Sequence, residues 1–361
     1  MNQAKTNRLQ TVFLTGFPGF IAGRLVEKLA DSETRFLLLV QTAFLETAKR
    51  ECERIASKTA APLENFYLFE GDITRENLNL SAEDSEFIKN ETTDVFHLAA
   101  VYDLAVERDL AMRVNVEGTR NVNSLVRQIK NLNRYNYVST CYVAGKRTGV
   151  IIETELEHAA GFRNSYEETK YLAELEVENL KTELPITIYR PSVVVGDSKT
   201  GETQKYDGIY YLILYLKKFP PVLSLFNIGN ERVRLNLVPV DFVVEAIAAL
   251  SKDKDAVGKT FQIADPNPLT THELFDVISE KLAKRKSAVT VPATLVESSL
   301  NLPVSPAMTG LPKVAVPYFF IEQTYDTRLT GEFLASHRVA CPPFPSYVDK
   351  LINFVEKNPH L

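Results

Sequence analysis

Tyr166 and Lys170, in the stretch SYEETKYLAE, are the pair of residues best suited to acid–base chemistry. Their spacing of four residues places both side chains on one face of a helix. A tyrosine phenol titrates near ~10 in isolation, and a neighbouring ammonium group lowers that pKa. The pair therefore indicates a tyrosine that exchanges a proton with a bound substrate, although an amphipathic surface helix produces the same spacing by chance.

Two hydroxyl side chains, Ser139 and Thr140, end the predicted strand YNYVST. In a doubly wound sheet, ligands bind at the carboxyl ends of the strands, where these hydroxyls would lie. A hydroxyl at this place donates a hydrogen bond to a carbonyl oxygen and stabilises the negative charge that develops there. Combined with a tyrosine acid, these hydroxyls predict the reduction of a carbonyl group.

The stretch TVFLTGFPGFIAGRL (residues 11–25) has the order of strand, glycine turn and helix that a phosphate-binding turn requires. Gly16 permits the tight turn, Gly19 lets the backbone approach a pyrophosphate, and Ala22 supplies a small side chain for helix–strand packing. The first N–H groups of the helix would point at the phosphates. An ordinary strand–helix turn is the alternative. The candidate cofactor contacts in this turn are Thr15, Gly16, Phe17, Pro18, Gly19, Phe20 and Ile21.

The end of the second predicted strand, LLLVQTAF, bears on the choice between the two nicotinamide cofactors. An acidic residue here would bind the ribose 2′-hydroxyl of NAD. Gln41 occupies the place, and the first acid after the strand is Glu46. We therefore expect NADP(H) as the preferred cofactor. NAD(H) is the alternative, because no arginine directly follows the strand either.

Short apolar segments alternate with helical patterns through the first two-thirds of the chain. The alternation predicts an α/β fold, a doubly wound parallel sheet (Rossmann) with a smaller, mainly helical C-terminal substrate lobe. Strands are predicted at 11–16, 36–40, 66–72, 94–100, 186–196 and 259–264, and the segment 134–145 is predicted as a strand that runs into a loop. Helices are predicted at 20–31, 46–57, 115–129, 165–180, 240–252 and 271–285. The predicted dinucleotide-binding Rossmann domain takes 9–195 and 233–264, and the predicted substrate-binding lobe takes 196–232 and 265–361.

The composition of the 361-residue chain argues against several classes of protein. A net charge of −5, with scattered basic residues, predicts no nucleic-acid partner. The three cysteines and five histidines are dispersed, so we expect neither a disulfide framework nor a metal site. The N-terminal residues are polar, and no apolar run approaches the ~18 residues that span a bilayer. We therefore expect a cytoplasmic protein without an integral membrane segment.

The segment 206–229 is the main indication of the substrate. Its large apolar and aromatic side chains suit an acyl chain or another lipid better than the diphosphate of a sugar nucleotide. The same composition would also suit the core of the small lobe, a dimer face or a surface that rests on a membrane. The side chains concerned are Tyr206, Tyr210, Tyr211, Leu212, Leu214, Tyr215, Leu216, Phe219, Leu223, Leu225 and Phe226.

Several motifs follow one another along the chain: TGFPGFIA, GDI (71–73), HLAA (97–100), NVEGT (115–119), VSTCYVAG (138–145), YEETK (166–170) and YRPSVVVG (189–196). In their order and spacing the chain resembles the extended short-chain dehydrogenase/reductases. Within that superfamily it is most similar to the thioester-reductase and fatty acyl-CoA reductase branch, with its male-sterility-type NAD-binding domain. The resemblance covers roughly residues 11–245, including NLVPVDFV (236–243).

The resemblance implies a role for each catalytic candidate. Thr140, rather than Ser139, would polarise the substrate carbonyl, because it matches the last hydroxyl before the Y-V-x-G turn of the family. Tyr166 would donate the proton. Lys170 would lower the pKa of Tyr166 and bind the cofactor ribose.

The resemblance also implies cofactor contacts along the edge of the sheet. Two positions depart from the family pattern, Ala22 in place of the third glycine and Gln41 in place of an arginine. Family members often form homodimers through two helices of the sheet domain. The implied contacts are Asp72 and Ile73 at the adenine, Ala99 and Ala100 after the fourth strand, Asn115 beside the active-site backbone, and Pro191, Ser192 and Val193 near the nicotinamide amide.

These features together predict an NADP(H)-dependent oxidoreductase that reduces the carbonyl of a hydrophobic substrate. The resemblance points to a fatty acyl thioester, presented by CoA or a separate acyl carrier and reduced to an aldehyde or alcohol. Two other functions stay open. One is an extended reductase acting on a steroid, a 3-keto lipid or a nucleotide sugar, and the other is a non-catalytic NADP(H)-binding sensor.

Overall fold

The computed structural model describes residues 10–218, 224–300 and 313–361. Within these ranges the chain divides into two compact units, each built from three segments. The first unit comprises Met1–Ser139, Ser165–Tyr189 and Ile247–Thr260. The second comprises Thr140–Asn164, Arg190–Ala246 and Phe261–Leu361. The domain boundaries expected from the sequence stay a prediction.

Strands and helices alternate through most of the described residues. The strands are β1 (Gln10–Thr15), β2 (Thr34–Val40), β3 (Phe66–Glu70), β4 (Asp94–His97), β5 (Arg134–Val138), β6 (Gly149–Ile151), β7 (Ile186–Pro191), β8 (Val193–Val195), β9 (Phe226–Asn227), β10 (Leu237–Pro239), β11 (Thr260–Ile263), β12 (Val289–Thr290) and β13 (Gln323–Tyr325). The α-helices are α1 (Phe20–Leu29), α2 (Leu45–Lys58), α3 (Ala82–Glu91), α4 (Arg108–Ala111), α5 (Gly118–Val126), α6 (Ser165–Glu178), α7 (Ile209–Lys218), α8 (Val240–Lys252), α9 (Thr271–Ala283), α10 (Ala293–Leu300), α11 (Arg328–Ser336) and α12 (Val348–Lys357). None of these helices is long and apolar enough to cross a lipid bilayer.

A seven-stranded sheet has the strand order β11-β7-β5-β4-β1-β2-β3. β1 pairs in parallel with β2 on one side and with β4 on the other. The strand order therefore reverses between β1 and β4, which is the switch point where doubly wound sheets bind dinucleotides. The predicted α/β class with a doubly wound parallel sheet is confirmed.

The apolar strands of the first unit are buried because helices cover both faces of the sheet. One core cluster joins strand residues such as Phe13, Val95 and Ile188 to helix residues such as Val122 and Val177, all fully or almost fully buried. These helix residues belong to α5 and α6, which also contact each other. The face of α6 that carries the candidate residues is consequently held against the carboxyl half of β5.

Two predicted elements differ from the structure. The helix predicted at 115–129 begins earlier, with α4, and passes through a π-helical segment, Met112–Glu117, before α5. A π-helical turn holds an extra residue and occurs mostly at functional sites. In the segment 134–145, predicted as a strand that runs into a loop, the strand ends at Val138 and a short 3₁₀ segment takes the place of the loop; the Thr140 hydroxyl accepts a hydrogen bond from the Tyr142 N–H (3.2 Å) at its start.

The second unit combines helices with three short parallel strand pairs, β8–β10, β9–β12 and β6–β13. Its core joins α7, α9 and α12 through side chains such as Ile213, Leu274 and Leu351. Tyr210, from the predicted apolar stretch, is part of this core. Phe219 and Leu223, from the same stretch, lie outside the described residues.

Candidate active site

The turn between β1 and α1 requires glycine at two positions. Gly16 has a φ of +94°, a conformation that side-chain-bearing residues rarely adopt. A Cβ atom at Gly16 would lie 2.8 Å from the backbone nitrogen of Ala99, and one at Gly19 would lie 2.8 Å from the carbonyl oxygen of Gly16. The Gly19 N–H donates to that same oxygen at 2.8 Å. The turn is therefore tight, and it depends on glycine at position 16, as expected from the sequence.

The N-terminus of α1 fits an anionic ligand. Among the described residues, no side chain caps this helix end, and its first turn carries no acidic residue. The first N–H groups of a helix have no partner within it, and its N-terminus favours negative charge. Ala22 is buried on the inner face of the helix, where a small side chain is needed. The turn and helix thus offer what the pyrophosphate of a dinucleotide requires. Around them Phe17 is buried, and Pro18, Phe20 and Ile21 are half-buried.

A chain of hydrogen bonds joins the loops at the switch point. The Ala99 N–H donates to the Thr15 hydroxyl (3.2 Å), which contacts His97 Nδ1 (2.7 Å). His97 Nε2 contacts the Thr119 hydroxyl (3.0 Å), which donates to the Asn115 carbonyl (2.6 Å). The directions agree with a neutral imidazole protonated at Nε2. This chain fixes the loop after β4, including Ala99 and Ala100, to the start of the phosphate turn.

His97 is a residue whose part in the site the sequence did not indicate. Burial, and to a smaller extent the positive charge of Lys170, lowers its pKa to about 3. It is therefore neutral at neutral pH, as its hydrogen bonds require. The HLAA motif contained it, but a lone histidine in a strand carries no signal of such a role.

The predicted adenine contacts lie after β3. The Asp72 carboxylate accepts a hydrogen bond from the Thr74 N–H (2.9 Å), and Asn121 donates to the Ile73 carbonyl (2.8 Å). Ile73 is buried against α5, where a Cβ atom at Gly118 would lie 2.8 Å from its Cδ1. The loop is thus held by α5, and its contact with an adenine stays a prediction.

A carboxylate stands beside the end of β2, although none follows that strand in the sequence. Gln41 is exposed there. The hydroxyl of the next residue, Thr42, donates to the carboxylate of Glu70 at 2.5 Å. Glu70 is the last residue of β3 and pairs with Val40. The acid comes from the neighbouring strand, so a search after β2 alone could not find it.

Asn115 lies in the π-helical segment and connects three elements. Its side-chain oxygen accepts from the Val101 N–H (2.9 Å), and its side-chain nitrogen donates to the Thr169 hydroxyl on α6 (3.0 Å). The side chain is buried. It therefore positions the loop after β4 relative to α6, which agrees with the supporting role implied by the family.

Tyr166 and Lys170 lie on one face of α6, as their spacing indicated. Lys170 Nζ donates to the Tyr137 hydroxyl (3.2 Å) and to the Val138 carbonyl (2.9 Å). Burial lowers the pKa of Lys170 to about 8, and the carboxylate of Glu174 acts in the opposite direction. Tyr166 is 6% exposed, and the exposed ring of Tyr102 meets it edge to face at 5.2 Å between centroids.

Ser139 is the last residue of the first segment of the first unit, and its hydroxyl has a hydrogen-bond partner. Its hydroxyl donates to the carboxylate of Glu174, and both side chains are buried. Ser139 is thereby occupied, which supports the choice of Thr140 as the hydroxyl that faces a substrate. Glu174 was not a sequence candidate, although it repeats the spacing of four after Tyr166 and Lys170 and so belongs to the same helix face.

Thr140 and the segment Pro191–Val193 belong to the second unit. The Thr140 hydroxyl, besides accepting from the Tyr142 N–H, lies 3.5 Å from the Pro191 carbonyl. The Ser192 hydroxyl donates to the Asn236 side chain (2.7 Å), and Val193 pairs with Leu237 in β8–β10. The first unit thus brings Tyr166 and Lys170 together with Ser139, and the second brings Thr140 together with Pro191.

The second unit contains a cavity of about 380 Å³ with mainly apolar walls. Six of its lining residues come from the segment 206–229 singled out in the sequence, and seven of the other ten come from α9 and α10. The side chains and backbone that line it belong to Ile209, Tyr211, Leu212, Tyr215, Ile228, Gly229, Thr271, Leu274, Phe275, Val291, Leu295, Val296, Ser299, Leu300, Phe319 and Phe320.

Comparison with known proteins shows the family of this chain. Residues 14–247, more than half of the chain, match the NAD-binding family model described as Male sterility protein. "Fatty acyl-CoA reductase wat" of Drosophila melanogaster is 27% identical over 279 residues, which cover 67% of this chain and 54% of that protein. The chain thus spans about half the length of this relative.

Two solved structures share the fold. The terminal R domain of the myxalamid PKS-NRPS biosynthetic pathway superposes with a TM-score of 0.83 at 22% identity, covering 99% of this chain and 92% of that one. A thiolation-reductase di-domain from an archaeal non-ribosomal peptide synthetase gives a TM-score of 0.75 at 18% identity, covering 98% and 76%.

The family match spans the phosphate turn, the loops after β3 and β4, and the α6 pair, which are the parts of the site built in the first unit. The resemblance to the thioester-reductase and fatty acyl-CoA reductase branch of the extended short-chain dehydrogenase/reductases is confirmed. The chain is a member of the NAD-binding family of male sterility proteins.

Proposed function

We propose that this protein is a nicotinamide-dependent reductase of acyl thioesters, with Tyr166 as the proton donor. The observation that carries the proposal is the arrangement on α6. The Lys170 ammonium is anchored to the end of β5, one helical turn from Tyr166, in a chain with a phosphate turn that fits a dinucleotide. The family match and the names of the relatives support a reductase acting on an activated acyl group.

Each side chain contributes one part of the chemistry. A bound nicotinamide would supply the hydride for the carbonyl carbon. Tyr166 would give its proton to the carbonyl oxygen as negative charge develops there. The hemithioacetal formed in this way would then release its thiol, CoA or carrier, as the C–S bond breaks, and leave an aldehyde. Lys170, with a pKa of about 8, is mostly charged at neutral pH and would stabilise the resulting phenolate. Thr140 would donate a hydrogen bond to the same oxygen.

The cavity of the second unit supports a long apolar substrate. A Cβ atom at Gly208 would lie 3.2 Å from Val193, so the start of α7 packs beside the segment proposed to pass the nicotinamide amide. Ile209, the next residue, lines the cavity. The volume holds about a dozen groups the size of a water molecule, which corresponds to a medium or long acyl chain. CoA or a separate acyl carrier would present the thioester.

NADP(H) is the proposed cofactor, because Gln41 takes the place of the acid that binds the NAD ribose. Glu70 favours the alternative, since a carboxylate beside Thr42 would accept a hydrogen bond from a ribose 2′-hydroxyl and repel a 2′-phosphate. The ratio of kcat/KM for NADPH and NADH decides between them. A preference for NADH that is lost in Glu70→Gln would overturn the proposal of NADP(H).

The function is tested by following NADPH and NADH oxidation with acyl-CoAs of several lengths and with the same acyl groups on a carrier protein. Tyr166→Phe should lower kcat by about 10²–10⁴-fold, the usual contribution of a general acid. Tyr171→Phe, on the same helix, is the control and should stay close to the unaltered protein. Absence of turnover with every acyl thioester would overturn the proposal.

The same assays distinguish the other functions. Turnover of a steroid, a 3-keto lipid or a nucleotide sugar, with none of acyl thioesters, would place the protein among other extended reductases. Tight cofactor binding without any turnover would indicate a sensor. A cytoplasmic location and a homodimer remain proposals that follow from composition and family resemblance.

A further inference from the structure

Glu174 is a buried carboxylate that the reduction described above does not use. It lies one helical turn beyond Lys170 on α6, and its side chain is fully buried. Burying an unpaired carboxylate costs several kcal/mol, so such a group persists when charged or hydrogen-bonded partners surround it. Its position therefore requires an explanation.

Two kinds of partner surround this carboxylate. The Ser139 hydroxyl at the end of β5 donates to it. Lys170 lies one helical turn before it on the same face of α6, and the negative charge of Glu174 opposes the effect of burial on the Lys170 pKa. Lys170 itself reaches the two residues that precede Ser139, Tyr137 and Val138. Glu174 and Lys170 thus hold three consecutive residues at the end of β5.

We propose that Glu174 is a positioning residue that keeps Lys170 in its charged form and fixes the end of β5 beside Tyr166. The proposal rests on the function proposed above for Tyr166 and Lys170. It adds a third member to their helix face, acting through Lys170 and not on the substrate. An ammonium group buried to this degree would otherwise lose its proton near neutral pH.

The other groups that face Lys170 do not replace this counter-charge. Tyr137 on β5 presents its neutral hydroxyl, and its ring centroid lies 4.8 Å from Nζ. Burial raises the pKa of Tyr137 well above its ordinary value, so it carries no negative charge. His97 on β4 is neutral, and Tyr166 is neutral before it gives up its proton. Among these groups Glu174 is the one that supplies negative charge.

The protonation of Lys170 can be measured without the reaction. The ¹³Cε chemical shift of a lysine reports the protonation of its amine without any reagent reaching it, so NMR of protein labelled with ¹³C-lysine across a pH series, with the Lys170 signal assigned by its absence in Lys170→Arg, gives the titration midpoint. In the unaltered protein we expect a midpoint near pH 8. A midpoint below pH 7 would overturn the proposal without any variant, because Lys170 would then be mostly neutral at working pH.

Glu174→Gln keeps the size of the side chain and removes its charge. The midpoint should fall by about one pH unit, which raises the unprotonated fraction of Lys170 at pH 7 from about one-tenth to about one-half. Glu178→Gln, one turn further along α6, is the control, because Glu178 pairs at the surface with Lys181 (2.8 Å). Its midpoint should not move. An unchanged midpoint in Glu174→Gln would show that the carboxylate does not hold the charge.

Glu174→Asp retains the charge with a shorter side chain, so its midpoint should stay close to that of the unaltered protein. A fall of the Lys170 midpoint as large as that in Glu174→Gln would overturn the proposal, because the change in midpoint would then be caused by altered packing and not by the loss of charge. In catalysis, the alkaline limb of the kcat–pH profile should move to lower pH in Glu174→Gln by the same interval. If no acyl thioester is reduced, the proposed function fails, while the titration midpoints of Lys170 still test the role of Glu174.

Discussion

At position 16 the backbone conformation and the neighbouring loop after β4 both require glycine. The positive φ disfavours any side chain, and the loop after β4 leaves no space for a Cβ atom. Ser139 and Thr140 differ in their partners. The Ser139 hydroxyl donates to Glu174, whereas the Thr140 hydroxyl accepts from the Tyr142 N–H, and the role of Thr140 at a substrate carbonyl stays a prediction.

Gly16→Ala should weaken cofactor binding by about tenfold or more. The backbone strain costs about 1–2 kcal/mol, and relief of the contact with Ala99 would displace the turn that faces the pyrophosphate. Cofactor affinity measured by fluorescence titration checks this. Gly258→Ala is the control, because Gly258 also has a positive φ (+78°) but a Cβ atom there would meet no atom within 4 Å. Equal losses of affinity in both variants would contradict a specific role of Gly16.

The elements around the site cooperate through buried polar side chains. α6 presents Tyr166, Lys170 and Glu174 along one face, and the π-helical segment presents Asn115 toward Thr169 on that helix. β4 contributes His97, whose two ring nitrogens join the loop after β1 to the start of α5. Each of these elements is fixed by a hydrogen bond to another, so the site does not depend on one loop.

His97 makes the stability of the protein depend on pH. Its folded pKa, about 3, lies below the value of 6.5 expected for the unfolded chain. The unfolded state therefore binds the additional proton between these values, and stability is lost as the pH falls below 6.5. This histidine alone should contribute a slope of about 1.4 kcal/mol per pH unit through most of that interval.

His97→Gln should be less stable at pH 7, because the hydrogen-bond chain is altered, but its unfolding free energy should fall less steeply in acid. Urea unfolding at a series of pH values measures both effects. His360→Gln, at an exposed position near the C-terminus, should retain the slope of the unaltered protein. An unchanged slope in His97→Gln would show that His97 is not the group responsible.

At the scale of the whole molecule, the chain contributes to both units several times, and the residues with proposed roles are distributed between them. The first unit holds the phosphate turn and the α6 face, and the second holds Thr140 and the apolar cavity. This division matches the two tasks of a reductase, to hold the cofactor and to receive a substrate.

Ser299→Trp should shorten the acyl chain that the protein accepts. Ser299 lines the cavity, and an indole there would exclude about two methylene groups, each worth about 0.8 kcal/mol, which lowers kcat/KM for the longest substrates about tenfold or more. Short acyl-CoAs should react as before. Ser298→Trp, on the same helix α10 but not among the lining residues, is the control. Equal activity of both variants at every chain length would place the acyl chain elsewhere.

The sequence by itself determined the fold class, the phosphate turn and the Tyr166–Lys170 pair. These depend on local spacing: glycines after a buried strand, residues four apart on a helix, and strands alternating with helices. Spacing of this kind is a property of the sequence itself, so it can be recognised without knowing which strands are neighbours in the sheet.

Only the tertiary structure decided which distant residues meet. The carboxylate of Glu70 stands beside Thr42 because β3 pairs with β2, and Ser139 contacts Glu174 because α6 packs on β5. His97 bridges the end of β1 and the start of α5, which are far apart in the chain. Such contacts arise from strand order and helix packing over long sequence separations, which residue types and local periodicity do not encode.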